Sequence, residues 1–146
     1  MTTVRPELPH WRALTAAFRT SVGSHDNGLV KRARMLASMH RVRALHPGCE
    51  AVFEAGRAAL RQRIAEWIVG HTGSRPVLAV ACAQAIDDMA AAHVEAERLL
   101  RINPPPSAEE LHAAWFAVGY LATHWADLVA EVVDGQRPVP WPLERR

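Results

Sequence analysis

Residues 76–134, PVLAVACAQAIDDMAAAHVEAERLLRINPPPSAEELHAAWFAVGYLATHWADLVAEVVD, decide the fold class. On either side of Pro104-Pro105-Pro106 the apolar residues return at steps of three and four, the period of a helix with one buried face. Neither side alternates as a half-buried strand does. Three consecutive prolines remove three amide donors and break any helix that reaches them. Ser107, with Glu110 three residues later, has the spacing of a capping box that starts the next helix. The stretch is therefore two long helices and a hard turn. The upstream helix, from Pro76 to about Ile102, carries Leu78, Cys82, Ala85, Met89, Ala92, Ala96 and Leu99 on its apolar stripe. So much alanine lets a neighbouring helix approach closely. The downstream helix, about 107–134, carries Leu111, Trp115, Val118, Ala122, Trp125, Val129 and Val132 at near-heptad spacing. Its large side chains mark it as the expected central helix.

Working outward, the same period predicts three earlier helices at about 8–22, 28–45 and 49–70. The first has Trp11, Leu14, Phe18 and Val22 on one stripe. Asp26 or Asn27 is placed to cap the second, which buries Leu29, Ala33, Leu36 and His40 or Val42 and stops at His46-Pro47-Gly48. The third buries Phe53, Leu60, Ile64, Trp67 and Ile68. Ser74 and Pro76 match a cap and an early-turn proline for the fourth. Gly135 ends the fifth. The expectation is an all-α single-domain bundle of about five helices over 1–135, followed by a Pro/Trp-containing tail at 136–146.

Composition agrees with a folding chain, since 49% of the 146 residues are apolar and 22% charged. Cys49 and Cys82 each stand alone, which excludes a CxxC metal motif and a disulfide framework and leaves both as small buried apolar residues. The opening residues lack the apolar run of a secretory signal, and Val77–Ala83 is far shorter than the roughly 20 residues of a membrane span. Cytoplasmic residence without a membrane partner is expected. The net charge of +2 hides an asymmetry: residues 1–75 hold 12 Lys and Arg against 5 acids, and residues 76–146 hold 5 against 10. Either the first half meets an anionic partner or the two halves attract each other across a core or a dimer.

Several polar groups are candidates for chemistry. Tyr120, His124, Asp127 and Glu131 step along one side of the fifth helix, where His124 with Asp127 has the makings of a base held by a carboxylate, and with Glu131 part of a metal site. His40, Asp87, Asp88 and the His93/Glu97 pair lie at the margins of apolar stripes on other helices. Glu109-x-x-His112 has the spacing of a di-metal bundle, yet the second Glu-x-x-His such a site requires is missing, and Glu109 suits a helix first turn. No metal or other cofactor is expected. Lys31, Arg32, Arg34, Arg41, Arg43, Arg57, Arg61 and Arg63 fall on consecutive helices and form the candidate nucleic-acid surface. Trp141, between two prolines, is the candidate anchor for a protein partner. No phosphate-cradling Gly-rich loop, serine-nucleophile elbow or zinc spacing occurs.

The segments Leu36-Ala37-Ser38-Met39-His40 to Arg43, Ile64-Ala65-Glu66-Trp67 and Asp127-Leu128-Val129-Ala130-Glu131-Val132 resemble a family of short actinobacterial proteins classed as a domain of unknown function. The resemblance spans about residues 28–140. It implies a helical fold and cytoplasmic residence, with no activity or catalytic residue attached. Where the family pattern often opens the fourth helix with His-Thr-Glu, this chain has Leu78-Ala79-Val80. The sequence thus points to a non-enzymatic interaction or regulatory module acting as a homo-oligomer or on a protein partner. A nucleic-acid binder using the second and third helices is the alternative. A small metal-dependent or acid/base enzyme centred on His40, Asp87, His124, Asp127 and Glu131 is the third reading.

Overall fold

Capping chemistry sets most of the helix boundaries in the computed structural model, which describes residues 8–20 and 27–136. Five helices follow in order: α1 (Trp11–Arg19), α2 (Gly28–Leu45), α3 (Glu50–Thr72), α4 (Pro76–Leu99) and α5 (Ala108–Gln136). No strand occurs among the described residues. The Asn27 side chain accepts the Val30 amide at 2.9 Å and so caps α2. Ser107 accepts the Glu110 amide at 3.1 Å, and its hydroxyl donates to the Glu110 carboxylate at 3.2 Å. The box expected there is present. Ser74 is not the cap of α4: Arg75 holds that position without a side-chain cap, and the Ser74 hydroxyl donates to the Arg75 carbonyl. Pro76 supplies the preset φ of a first helical residue instead. The third helix runs two residues past the expected end, to Thr72, and Gly73, with a φ of 72°, closes it in the left-handed conformation glycine adopts without strain.

Packing places α4, not α5, at the centre. All four other helices pack on α4, whereas α5 lies on α4 and, more lightly, on α1. The expectation that α5 is central is therefore corrected. Its large side chains reach inward from a flank, and a helix surrounded on all sides must carry small residues around its circumference. In α4, 13 of 24 residues are buried, among them Ala79, Ala83, Ala85, Ala90 and Ala96. By length and composition α4 is also the one described helix long and apolar enough to cross a membrane, with a mean hydropathy of 1.3 over its window. Its enclosure by the other helices accounts for that apolarity.

The core joins Leu14 and Phe18 of α1, Leu29 and Leu36 of α2, Ile64 and Ile68 of α3, Ile86 and Met89 of α4, and Trp125 and Leu128 of α5. Gly28 lets α2 start against α3, because a Cβ there would lie 2.8 Å from Arg32 and 3.0 Å from the Trp67 ring. Of the two alternatives on the α2 stripe, His40 is buried and Val42 is exposed. Cys49 departs from expectation: it is exposed at the start of α3, whereas Cys82 is buried. Trp125 is fully buried, and its indole N–H donates to the Pro9 carbonyl at 2.9 Å, fastening the segment before α1 to α5. The 136–146 tail lies outside the described residues apart from Gln136, which belongs to α5, and so does the 21–26 loop.

Trp125→Ala removes the largest core side chain and is expected to cost about 3–5 kcal/mol. Trp125→Phe keeps most of the burial and is expected to lose far less. Urea denaturation of the two variants checks the ordering.

Candidate functional site

The buried polar groups gather into two nodes on opposite stretches of α4. In the first, Asp87 is 1% exposed and takes partners from two other helices. His40 Nε2 of α2 meets Asp87 Oδ1 at 2.7 Å. Arg61 of α3 donates to Oδ2 at 3.0 Å, and Arg57 Nε lies 3.2 Å from the same oxygen, close enough to pair by charge but not aligned as a hydrogen bond. The carboxylate sits four residues from Ala83 on a helix otherwise lined by small apolar groups, so α3 must supply the compensating charge. Phe53 packs its ring at a steep angle to the His40 imidazole, centroids 5.3 Å apart. Arg43 and Arg57 lie over the Phe53 ring at 5.0 and 5.8 Å.

His40 also lines a cleft of about 360 Å³ with Arg43, Glu50, Glu95 and Arg98. His40 Nε2 faces Asp87, so the pair leaves the ring's other nitrogen, Nδ1, unused. Such a carboxylate–imidazole pair is the arrangement that supports base chemistry. Here, however, two guanidiniums occupy the other carboxylate oxygen, and two ion pairs, Arg43–Glu50 and Arg98–Glu95, rim the cleft. The geometry therefore closes charges upon one another more than it exposes them.

The second node lies nearer the end of α4. His93 is 1% exposed and donates through Nε2 to Glu97 at 2.9 Å. Arg41 of α2 reaches the same carboxylate at 3.1 Å and also donates to the Phe18 carbonyl of α1. Phe18 and Trp115 flank the imidazole, and its buried Nδ1 has no hydrogen-bond partner. Burial lowers the His93 pKa from its ordinary 6.5 and outweighs Glu97, which pulls the other way. Cys82, buried against α5, has its thiol pushed up to about 11, first by burial and then by Glu131. It is a packing group and not a nucleophile at neutral pH.

Of the residues proposed for chemistry, the structure brings together His40 with Asp87, from different helices, and His93 with Glu97, four residues apart on α4. His124, Asp127 and Glu131 are exposed on α5, which does not pack on α2 or α3. Glu109 and His112 are exposed near the start of α5. Among the described residues no group of three His, Cys, Asp or Glu side chains is placed to hold a metal ion. The basic candidates are distributed unevenly. Arg41, Arg57 and Arg61 pair with α4 carboxylates, Arg43 pairs with Glu50, Arg32 donates to the Gly28 carbonyl, and Arg34 donates to the Thr20 hydroxyl. Lys31 and Arg63 are exposed. The charge asymmetry of the two halves is thus partly matched across the α2/α4 and α3/α4 seams. Trp141 lies outside the described residues. A cleft of about 600 Å³ runs between α3 and α4 over Ala65, Val69, Gly70, Val80 and Ala83, with Arg61 at its edge.

Sequence reasoning missed the outer face of α5. Phe116 is 67% exposed and Tyr120 66%, and the same side of the helix continues through Thr123, Asp127, Ala130 and Asp134. The signal was present: the 29 residues of α5 contain no Lys or Arg, and Phe116 lies opposite the buried stripe of Ala122, Trp125 and Val132. A surface helix in a finished monomer is polar on its outer face.

Asp87→Ala strands two guanidiniums and is expected to cost about 3–5 kcal/mol, measured by urea denaturation. For His93 the sign follows from its lowered pKa: the unfolded chain binds the proton more readily, so stability is full above about pH 6.5 and falls as the pH drops toward the folded value. The urea midpoint should decline between roughly pH 7 and 5, and His93→Gln should flatten that decline. No family model matches this chain, and no curated protein and no solved structure matches it either.

Proposed function

We propose that the chain is a non-enzymatic helical interaction module of the cytoplasm that self-associates through the outer face of α5. One observation carries this reading: Phe116 and Tyr120, two large side chains a helical turn apart, stand about two-thirds exposed on a helix face without Lys or Arg. Apolar groups scattered singly over a surface need no explanation, but two large ones adjacent on one helix face do. The rest of the molecule leaves few groups free for other work. Six of the arginines and lysines on α2 and α3 are already engaged with carboxylates, carbonyls or a hydroxyl, which weakens the nucleic-acid reading. The acid/base reading keeps only His40 and Asp87, and Asp87 is shared with two arginines.

In analytical ultracentrifugation the protein is expected to sediment above its 16.1 kDa monomer mass. A Phe116→Glu, Tyr120→Glu double variant, altered only at exposed positions, is expected to return to the monomer with an unchanged helical circular-dichroism spectrum. A wild-type protein that remains monomeric at all accessible concentrations overturns the proposal.

A further inference from the structure

We infer that α1 is a proton-sensitive cover: a proton taken up by His93 loosens the last turn of α1 from the bundle while α2 to α5 stay packed. The observation that carries this is a buried ring nitrogen with nothing to bond. His93 is 1% exposed, and its Nε2 is committed to Glu97 at 2.9 Å. Its Nδ1 is buried without a hydrogen-bond partner among the described residues. The rings of Phe18 from α1 and Trp115 from α5 stand 5.8 and 6.3 Å from the imidazole, centre to centre. A neutral imidazole places only a lone pair at Nδ1. A charged one carries a donor on each nitrogen, and the new N–H at Nδ1 meets no acceptor.

The charges around the ring add to the cost. Among the described residues Glu97 acts on it from its own helix, Arg41 from α2 and Arg19 from the end of α1, while α5 contributes the Trp115 ring. Glu97 gives one oxygen to His93 and the other to Arg41, so its single negative charge is already matched. A protonated His93 sets a second cation on that carboxylate, with Arg19 as a third nearby. Relief comes from water reaching Nδ1, and α1 is the element that yields. It has nine residues, against 18 in α2 and 29 in α5, and it ends at this node. Arg41, which shares Glu97 with His93, is also the donor that holds the Phe18 carbonyl. The groups disturbed by the proton are therefore the ones that tie down the end of α1.

Hydrogen exchange of the full chain, read by peptide mass spectrometry and corrected for the chemical exchange rate at each pH, tests this. Once α1 is open, His93 binds its proton near the ordinary 6.5, so protection of the amides at 15–19 is expected to fall about tenfold between roughly pH 7.5 and 5.5. At both pH values α1 is expected to exchange faster than α4, the mark of an opening smaller than global unfolding. His93→Gln keeps a donor for Glu97 and takes up no proton, and its α1 protection is expected to stay level across the range. A second histidine, His10, caps α1 through Nδ1, which accepts the Arg12 amide at 3.1 Å. It is intact in the His93→Gln variant, so a fall that persists there belongs to the cap and overturns the proposal. Equal protection of α1 and α4 at both pH values overturns it as well, as does an α1 protection that ignores pH. Both of these are read in the wild-type protein alone.

Discussion

A carboxylate buried beside the central helix constrains the whole bundle. Asp87 is almost fully removed from water on α4, where an uncompensated charge would cost several kcal/mol. Its compensation cannot come from α4 itself, which carries no Lys or Arg within a turn of it in either direction. It comes from Arg57 and Arg61 on α3 and from His40 on α2, so the two helices must lie where these groups reach one carboxylate. A hydrophobic core alone tolerates sliding of one helix past another. A carboxylate that demands three particular partners fixes the relation of α2, α3 and α4 to within a hydrogen-bond length.

The second node extends the same logic to α1. Glu97 holds His93 from its own helix and Arg41 from α2, and Arg41 in turn donates to the Phe18 carbonyl at the end of α1. The positive first half and negative second half of the chain are thereby joined across interior seams. This changes what the arginine-rich helices mean. Their charge is in large part internal counter-charge, and the surface they present outward is smaller than their number suggests.

With α1, α2 and α3 gathered around α4 by these nodes, α5 is left to complete the enclosure from one side. It buries Ala122, Trp125, Leu128 and Val132 against the core and turns Phe116 and Tyr120 to water.

The sequence by itself determined the number and type of elements and most of their ends. Proline at 104–106, the Ser107/Glu110 box, Asn27 and the period of the apolar stripes are local signals, and local backbone chemistry acts on them within a turn or two. It also supplied His40 and Asp87 as candidates, because a polar residue on an apolar stripe is visible in one dimension. Only the tertiary structure decided that α4 is central, that Arg57 and Arg61 face Asp87, and that Phe116 and Tyr120 face outward. Which helix becomes the centre depends on the relative rotation of five cylinders, and an arginine's partner depends on a helix dozens of residues away. A period of 3.6 records that a helix has an apolar face, but not how many neighbours it must satisfy.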